Sequence, residues 1–122
     1  MALFLNGKKL SGEPHNYSTN EQVVGTWIDG STLYEKTVYI PSLPNNSTGE
    51  YNTGLSNINP IRFDNTLIFQ SGNTSKAPYI STSGTVAIAI QFNADGKIYF
   101  GTNTDQSLTS AYVTLRYTKS ST

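Results

Sequence analysis

Residues 86–100 read VAIAIQFNADGKIYF, and their pattern sets the architecture of the chain. Val86, Ile88, Ile90 and Phe92 recur at every second position, with Ala87, Ala89 and Gln91 between them. A period of two belongs to a half-buried strand, because successive side chains of an extended backbone point to opposite faces. Asn93-Ala94-Asp95-Gly96 interrupts the pattern and Lys97-Ile98-Tyr99-Phe100 resumes it. Gly96 is free to adopt positive φ, so the stretch reads as a β-hairpin.

The same signature returns near the C-terminus. Ala111, Val113, Leu115 and Tyr117 make an apolar face, with Thr114, Arg116 and Thr118 on the other. No segment of helical length carries apolar residues at spacings of three, four and seven. Further strands are expected at 23–28, 33–40, 55–63 and 66–70. Asp29-Gly30-Ser31 would join the first two and Asp64-Asn65 the next two. Residues 1–16 show no sustained pattern and read as an N-terminal arm or linker, which leaves 17–122 as the domain. Seven short strands without a helix predict an all-β fold with little or no helix: a single antiparallel β-sandwich, jelly-roll-like.

Composition narrows the function. The 122 residues suffice for one core. Charged residues make up only 13% and the formal net charge is zero, so Ser, Thr, Asn and Tyr must carry solubility. Lys8-Lys9 is the only adjacent basic pair. Without a basic footprint the sequence argues against nucleic acid and against electrostatic attachment to a membrane. The N-terminal MALFLNGKKL lacks the layout of a cleaved signal, and no stretch approaches membrane-spanning length. Absence of cysteine removes disulfides, thiolate metal sites and thiol nucleophiles.

His15 is the only histidine and falls in the patternless arm, where it reads as an exposed residue. A Ser-His-Asp triad would depend on it alone. Asp29, Asp64 and Asp95 each fit turn chemistry, in which the carboxylate accepts nearby backbone N–H groups. Asp105 with Asn103 offers oxygen ligands of the kind Ca²⁺ takes, but loop hydration accounts for both. No catalytic residue, metal site or cofactor is expected, and the protein reads as a non-enzyme.

Strand alternation gives the candidate site. Consecutive antiparallel strands place alternate connections at opposite ends. The short turns near 29–31, 64–65 and 93–96 would share one end, and the long connections 41–54, 71–83 and 102–110 the other. Binding groups commonly sit on such loops. The expected ligand site comprises Tyr51 and Tyr79 as stacking groups, with Asn45, Asn46, Asn103 and Asp105 as hydrogen-bonding groups. Neutral polar groups and aromatic faces of this kind suit a sugar.

QVVGTWIDGSTLYEKTV, residues 22–38, places the only tryptophan two residues before Asp29-Gly30. With Val24, Ile28, Leu33 and Tyr34 around it, Trp27 reads as a core plug at the tight end. This stretch also carries a resemblance. Tyr17-Ser18-Thr19, the run Glu21 to Gly30 and Leu33-Tyr34-Glu35-Lys36-Thr37-Val38 resemble a block that opens the C-terminal domain of bacteriophage tail, baseplate or fibre proteins, especially from phages of Gram-positive bacteria. The segment from Gly54 to Asn59 and the strand from Tyr112 to Lys119 are similar to later segments of that family. Ser31, Thr53 and Asn59 depart from its usual residues.

The resemblance implies a virion-surface location and other virion proteins as partners. It also implies threefold assembly with copies of itself. The apolar Leu3-Phe4-Leu5 patch would either pack between subunits or be a disordered terminus. The function it implies is attachment to the host cell surface, through a cell-wall polysaccharide. The alternative is a structural fibre module without a ligand.

Overall fold

The computed structural model describes residues 15–80 and 84–120; the Leu3-Phe4-Leu5 patch and most of the expected arm lie outside them. Among the described residues nine strands occur in chain order: β1 (Gln22–Thr26), β2 (Thr32–Ile40), β3 (Thr48–Asn52), β4 (Ile58–Ile68), β5 (Thr74–Ser75), β6 (Tyr79–Ile80), β7 (Val86–Phe92), β8 (Lys97–Thr102) and β9 (Ser110–Lys119). They form a five-stranded sheet, β1-β2-β9-β4-β5, and a four-stranded sheet, β3-β8-β7-β6. Every pairing is antiparallel. The two sheets pack face to face as a β-sandwich, and no helix occurs among the described residues.

The core is what the alternation of β9 dictates. Ala111, Val113, Leu115 and Tyr117 are all inaccessible to solvent, and they meet Ile88, Phe92 and Ile98 from the opposing sheet. The Tyr117 hydroxyl is satisfied inside the fold by donating to Glu21 Oε2 at 2.5 Å. Burial, together with that carboxylate, pushes the phenol well above its ordinary range. The β7–β8 hairpin also forms as its sequence implies, except at its start. A bulge where β6 meets β7 turns Val86 outward, 48% exposed, and buries Ala87 instead.

The turn expected at Asp64-Asn65 does not exist. Both residues lie inside β4, a continuous strand that pairs with β9 from Ile58 to Ile68. Asn65 faces the interior, where a bare amide is costly. It is satisfied because its Oδ1 accepts from Ala77 N at 2.7 Å, while its Nδ2 donates to Ala77 O at 3.4 Å. The side chain thereby pins the chain where it leaves β5 for the other sheet. β3 is a further departure, since it forms within the expected 41–54 loop.

Trp27 is not a core plug. It stands at the β1–β2 turn, where its N–H donates to Ser31 O at 2.8 Å. It is half-buried and outside the apolar core. Ile28 beside it is 90% exposed, so the hairpin tip projects rather than packs. Of its expected companions, only Tyr34 packs against the core. Trp27→Ala is therefore expected to cost about 1–2 kcal/mol in urea denaturation, against the ~3–5 kcal/mol of a fully buried tryptophan.

Candidate functional site

Register brings the polar faces of β2, β9 and β4 into rows on the outer side of the five-stranded sheet. The pairs Tyr39↔Tyr112 and Thr66↔Tyr112 make the first row. Thr37, Thr114 and Asp64 make the second; Glu35, Arg116 and Arg62 make the third. Rows two residues apart lie about 6.7 Å from one another along the strands. The face thus grades from aromatic, through hydroxyl and carboxylate, to ionic.

Each row has its own chemistry. Tyr39 and Tyr112 are 43% and 46% exposed, and their rings stack at a 4.8 Å centroid separation with a 39° tilt. In the second row Thr37 Oγ1 and Thr114 Oγ1 share a hydrogen bond of 2.9 Å. Asp64 extends that row toward β5 through a 2.8 Å ion pair with Lys76. The Lys76 ammonium holds the Asp64 carboxyl below its usual range.

The third row is built on Glu35, which has no solvent exposure. Its Oε2 accepts from Arg116 Nε at 3.0 Å, with the Arg116 terminal nitrogen at 2.9 Å. Its Oε1 lies 2.7 Å from His15 Nε2 and accepts from Gln22 Nε2 at 3.2 Å. Burial pushes this carboxyl up, but bonds from His15, Arg116 and Gln22 outweigh that and hold it below the ordinary glutamate range. His15 is consequently not a free arm residue. It anchors the start of the described chain against β2, assisted by Thr37 N donating to Ser18 O at 2.8 Å.

That anchored strap delivers Tyr17 to the sheet. The ring is 67% exposed and braced edge-on by His15 at 4.6 Å. Tyr17 borders two adjoining depressions. One, of ≈ 400 Å³, is also lined by Thr37, Asp64, Asn65, Thr66, Tyr112 and Thr114. The other, of ≈ 130 Å³, is bounded by Glu35, Arg62, Asp64, Thr114 and Arg116. Together they form a shallow, solvent-open cleft with aromatic walls and a floor of hydroxyl, carboxylate and guanidinium groups.

The six residues expected to form a ligand site are not gathered at one place. The connections 41–47, 69–73 and 103–109 do share one end of the sandwich. Asn45, Asn46, Asn103 and Asp105 lie there, but the two loops carrying them are zipped to each other. Asn45 bridges Asp105, Asn46 N donates to Thr104 O at 2.8 Å, and Gln106 N donates to Pro44 O at 3.1 Å. Asp105 Oδ1 accepts from Ser107 N at 3.0 Å, ordinary turn chemistry. Tyr51 belongs to β3 and pairs with Ile98, toward the opposite end. Tyr79 is half-buried against the core and tilts onto Phe69 at 5.2 Å. Tyr51 is away from the loop end because residues 48–52 form β3, and Tyr79 is turned from solvent because its ring packs on Phe69 and the core.

Comparison with protein-family models, with curated proteins and with solved structures returns no match. The cleft has to be interpreted from its own groups. Among the described residues, no three His, Asp or Glu side chains converge as a metal site would require. The arrangement offers flat apolar ring faces beside fixed hydrogen-bond donors and acceptors, without a deep cavity.

Proposed function

We propose that the chain is a carbohydrate-binding β-sandwich of a bacteriophage fibre or tail, which attaches the virion to a surface glycan of the host and acts by binding alone. The virion assignment rests on the resemblance of residues 17–38, 54–59 and 112–119. The glycan assignment rests on the outer face of the five-stranded sheet, in place of the loop end.

The observation that carries it is the exposed Tyr39–Tyr112 pair beside the polar rows of Thr37, Thr114, Asp64 and Thr66. A sugar has apolar C–H faces rimmed by hydroxyls. It matches a tyrosine ring flanked by Thr37, Asp64, Thr66 and Thr114, because the ring is rigid and its hydroxyl tolerates water. A cross-strand aromatic pair also strengthens a sheet by roughly 0.2–1 kcal/mol. Its loss must therefore be read by binding in a protein shown to stay folded.

A glycan array probed with the 122-residue chain and with Tyr39→Ser/Tyr112→Ser tests the reading. Specific glycans are expected to bind the parent, and the double variant should lose about tenfold or more in affinity while keeping its circular dichroism. Equal binding by both proteins would refute the site. Threefold assembly is part of the proposal, since repetition would raise the avidity of shallow sites. Light scattering should then return three times the 13.3 kDa chain mass; the monomer mass would refute the trimer.

A further inference from the structure

The ionic row of the cleft contains an imbalance. Arg62 and Arg116 face each other across β4 and β9, where like charges are normally destabilising. Arg116 is neutralised by Glu35. Arg62 is exposed and has no hydrogen-bond or ion-pair partner among the described residues. Asp64, its neighbour on the same face, has Lys76 on one carboxylate oxygen. Within the row itself Arg62 and Arg116 stand against the single carboxylate of Glu35, a surplus of one positive charge, while Asp64 in the next row is paired with Lys76 and also feels the Arg62 charge.

The strand geometry puts Arg62 there. Before residue 61, Ile58 and Pro60 are on the inner face of β4; after it, Phe63, Asn65 and Leu67 are. A bulge between Pro60 and Arg62 supplies the extra residue that changes the parity. Without it, Ile61 would stand opposite Arg116 and Arg62 would turn inward. Arg62 instead borders the ≈ 130 Å³ depression, together with Tyr17, Glu35, Asp64, Thr114 and Arg116; Glu35 is held by Arg116 and Asp64 by Lys76. Such a planar fork of donors matches the paired oxygens of a carboxylate or phosphate.

We propose that the glycan taken by this cleft is anionic, and that Arg62 binds its carboxylate or phosphate while the sugar ring lies toward Tyr17 and Tyr112. This inference rests on the carbohydrate-binding reading. Tyr112 and Tyr17 select for a pyranose face, and Arg62 selects among sugars by charge. Arg116 shares the field but is held by Glu35, so Arg62 is the discriminating residue.

Calorimetry on the full chain with three probes tests it: an oligogalacturonate for the carboxylate, a mannose-6-phosphate oligosaccharide for the phosphate, and uncharged oligomannose. At least one anionic probe is expected to bind about tenfold tighter than oligomannose, with the advantage shrinking as salt rises. Which anionic probe binds distinguishes carboxylate from phosphate. Arg62→Gln should abolish the advantage of the anionic probe over the uncharged one. If the uncharged probe binds as well as both anionic ones, or if Arg62→Gln preserves the preference, the inference is overturned and the carbohydrate reading stands. If the parent chain binds none of the probes and no glycan on the array, both fall together.

Discussion

Gly96→Ala is expected to cost about 3–4 kcal/mol, the largest loss expected among the described glycines. Gly96 closes the β7–β8 hairpin at φ +82, a left-handed conformation that costs a residue with a Cβ about 1–2 kcal/mol. A Cβ built there would also lie 2.0 Å from the backbone oxygen of Leu55. Backbone cannot swing aside as a side chain does, so the 53–55 segment must shift. That segment is tied to the turn, because Thr53 donates both its N–H and its hydroxyl to the Gly96 carbonyl. Gly30→Ala supplies the control. Its φ is +91, but nothing lies within 4 Å of the added carbon, so about 1–2 kcal/mol is expected. Urea denaturation of the two variants separates steric from conformational cost; equal losses would contradict the close packing of residues 53–55 on the turn.

Glu35→Ala is expected to destabilise the sandwich by about 2–3 kcal/mol and to alter its acid sensitivity. Breaking a buried ion pair commonly costs 3–5 kcal/mol, roughly, because the surviving charge is left uncompensated. Here the Arg116 side chain is one-third exposed and recovers part of that from water. The sign of the pH effect follows from the direction of the Glu35 shift. Its carboxyl is held below the ordinary range in the folded protein. The stabilisation it gives is therefore complete above the unfolded value of about 4.3 and is lost as pH falls through the lower folded value. Melting temperatures of the parent and variant should converge below about pH 4 and lie farthest apart near neutrality. A gap that stayed constant with pH would contradict an ionised Glu35 in the native state.

Much of the sandwich is legible in local pattern, and the reason is visible in β9. A strand buried on one face shows strict alternation, and Ala111 to Tyr117 needs no knowledge of its partners. β4 is opaque for the opposite reason. Its bulge shifts the apolar parity halfway along, and Asp64-Asn65 has the composition of a turn. Only the backbone of Ala77, twelve residues away, makes a buried asparagine acceptable in mid-strand. Trp27 misleads in a related way, since its size argues for burial but its turn leaves it half outside.

The cleft was hidden for a topological reason. Its members come from four separate stretches: Tyr17, then Glu35 and Thr37, then Arg62 to Thr66, then Tyr112 to Arg116, with Tyr39 stacked on Tyr112 beside it. Each stretch alone reads as an ordinary solvent face. Alignment appears only when β9 is inserted between β2 and β4, a pairing between strands distant in sequence. One local signal was present: Tyr39 and Tyr112 each occupy the polar parity of a strand, an unusual place for an aromatic ring. The loop-end residues were attractive by composition, yet their backbone groups already satisfy one another across the 41–47 and 103–109 connections.

The central claim is that ligand binds the outer face of the five-stranded sheet, and amide chemical-shift mapping tests it most directly. The 122-residue chain would be titrated with the glycan that binds best on the array. The account predicts that the largest shifts fall on residues 17, 37–39, 62–66 and 112–116. Shifts confined to residues 43–47 and 103–107, with that face silent, would contradict it.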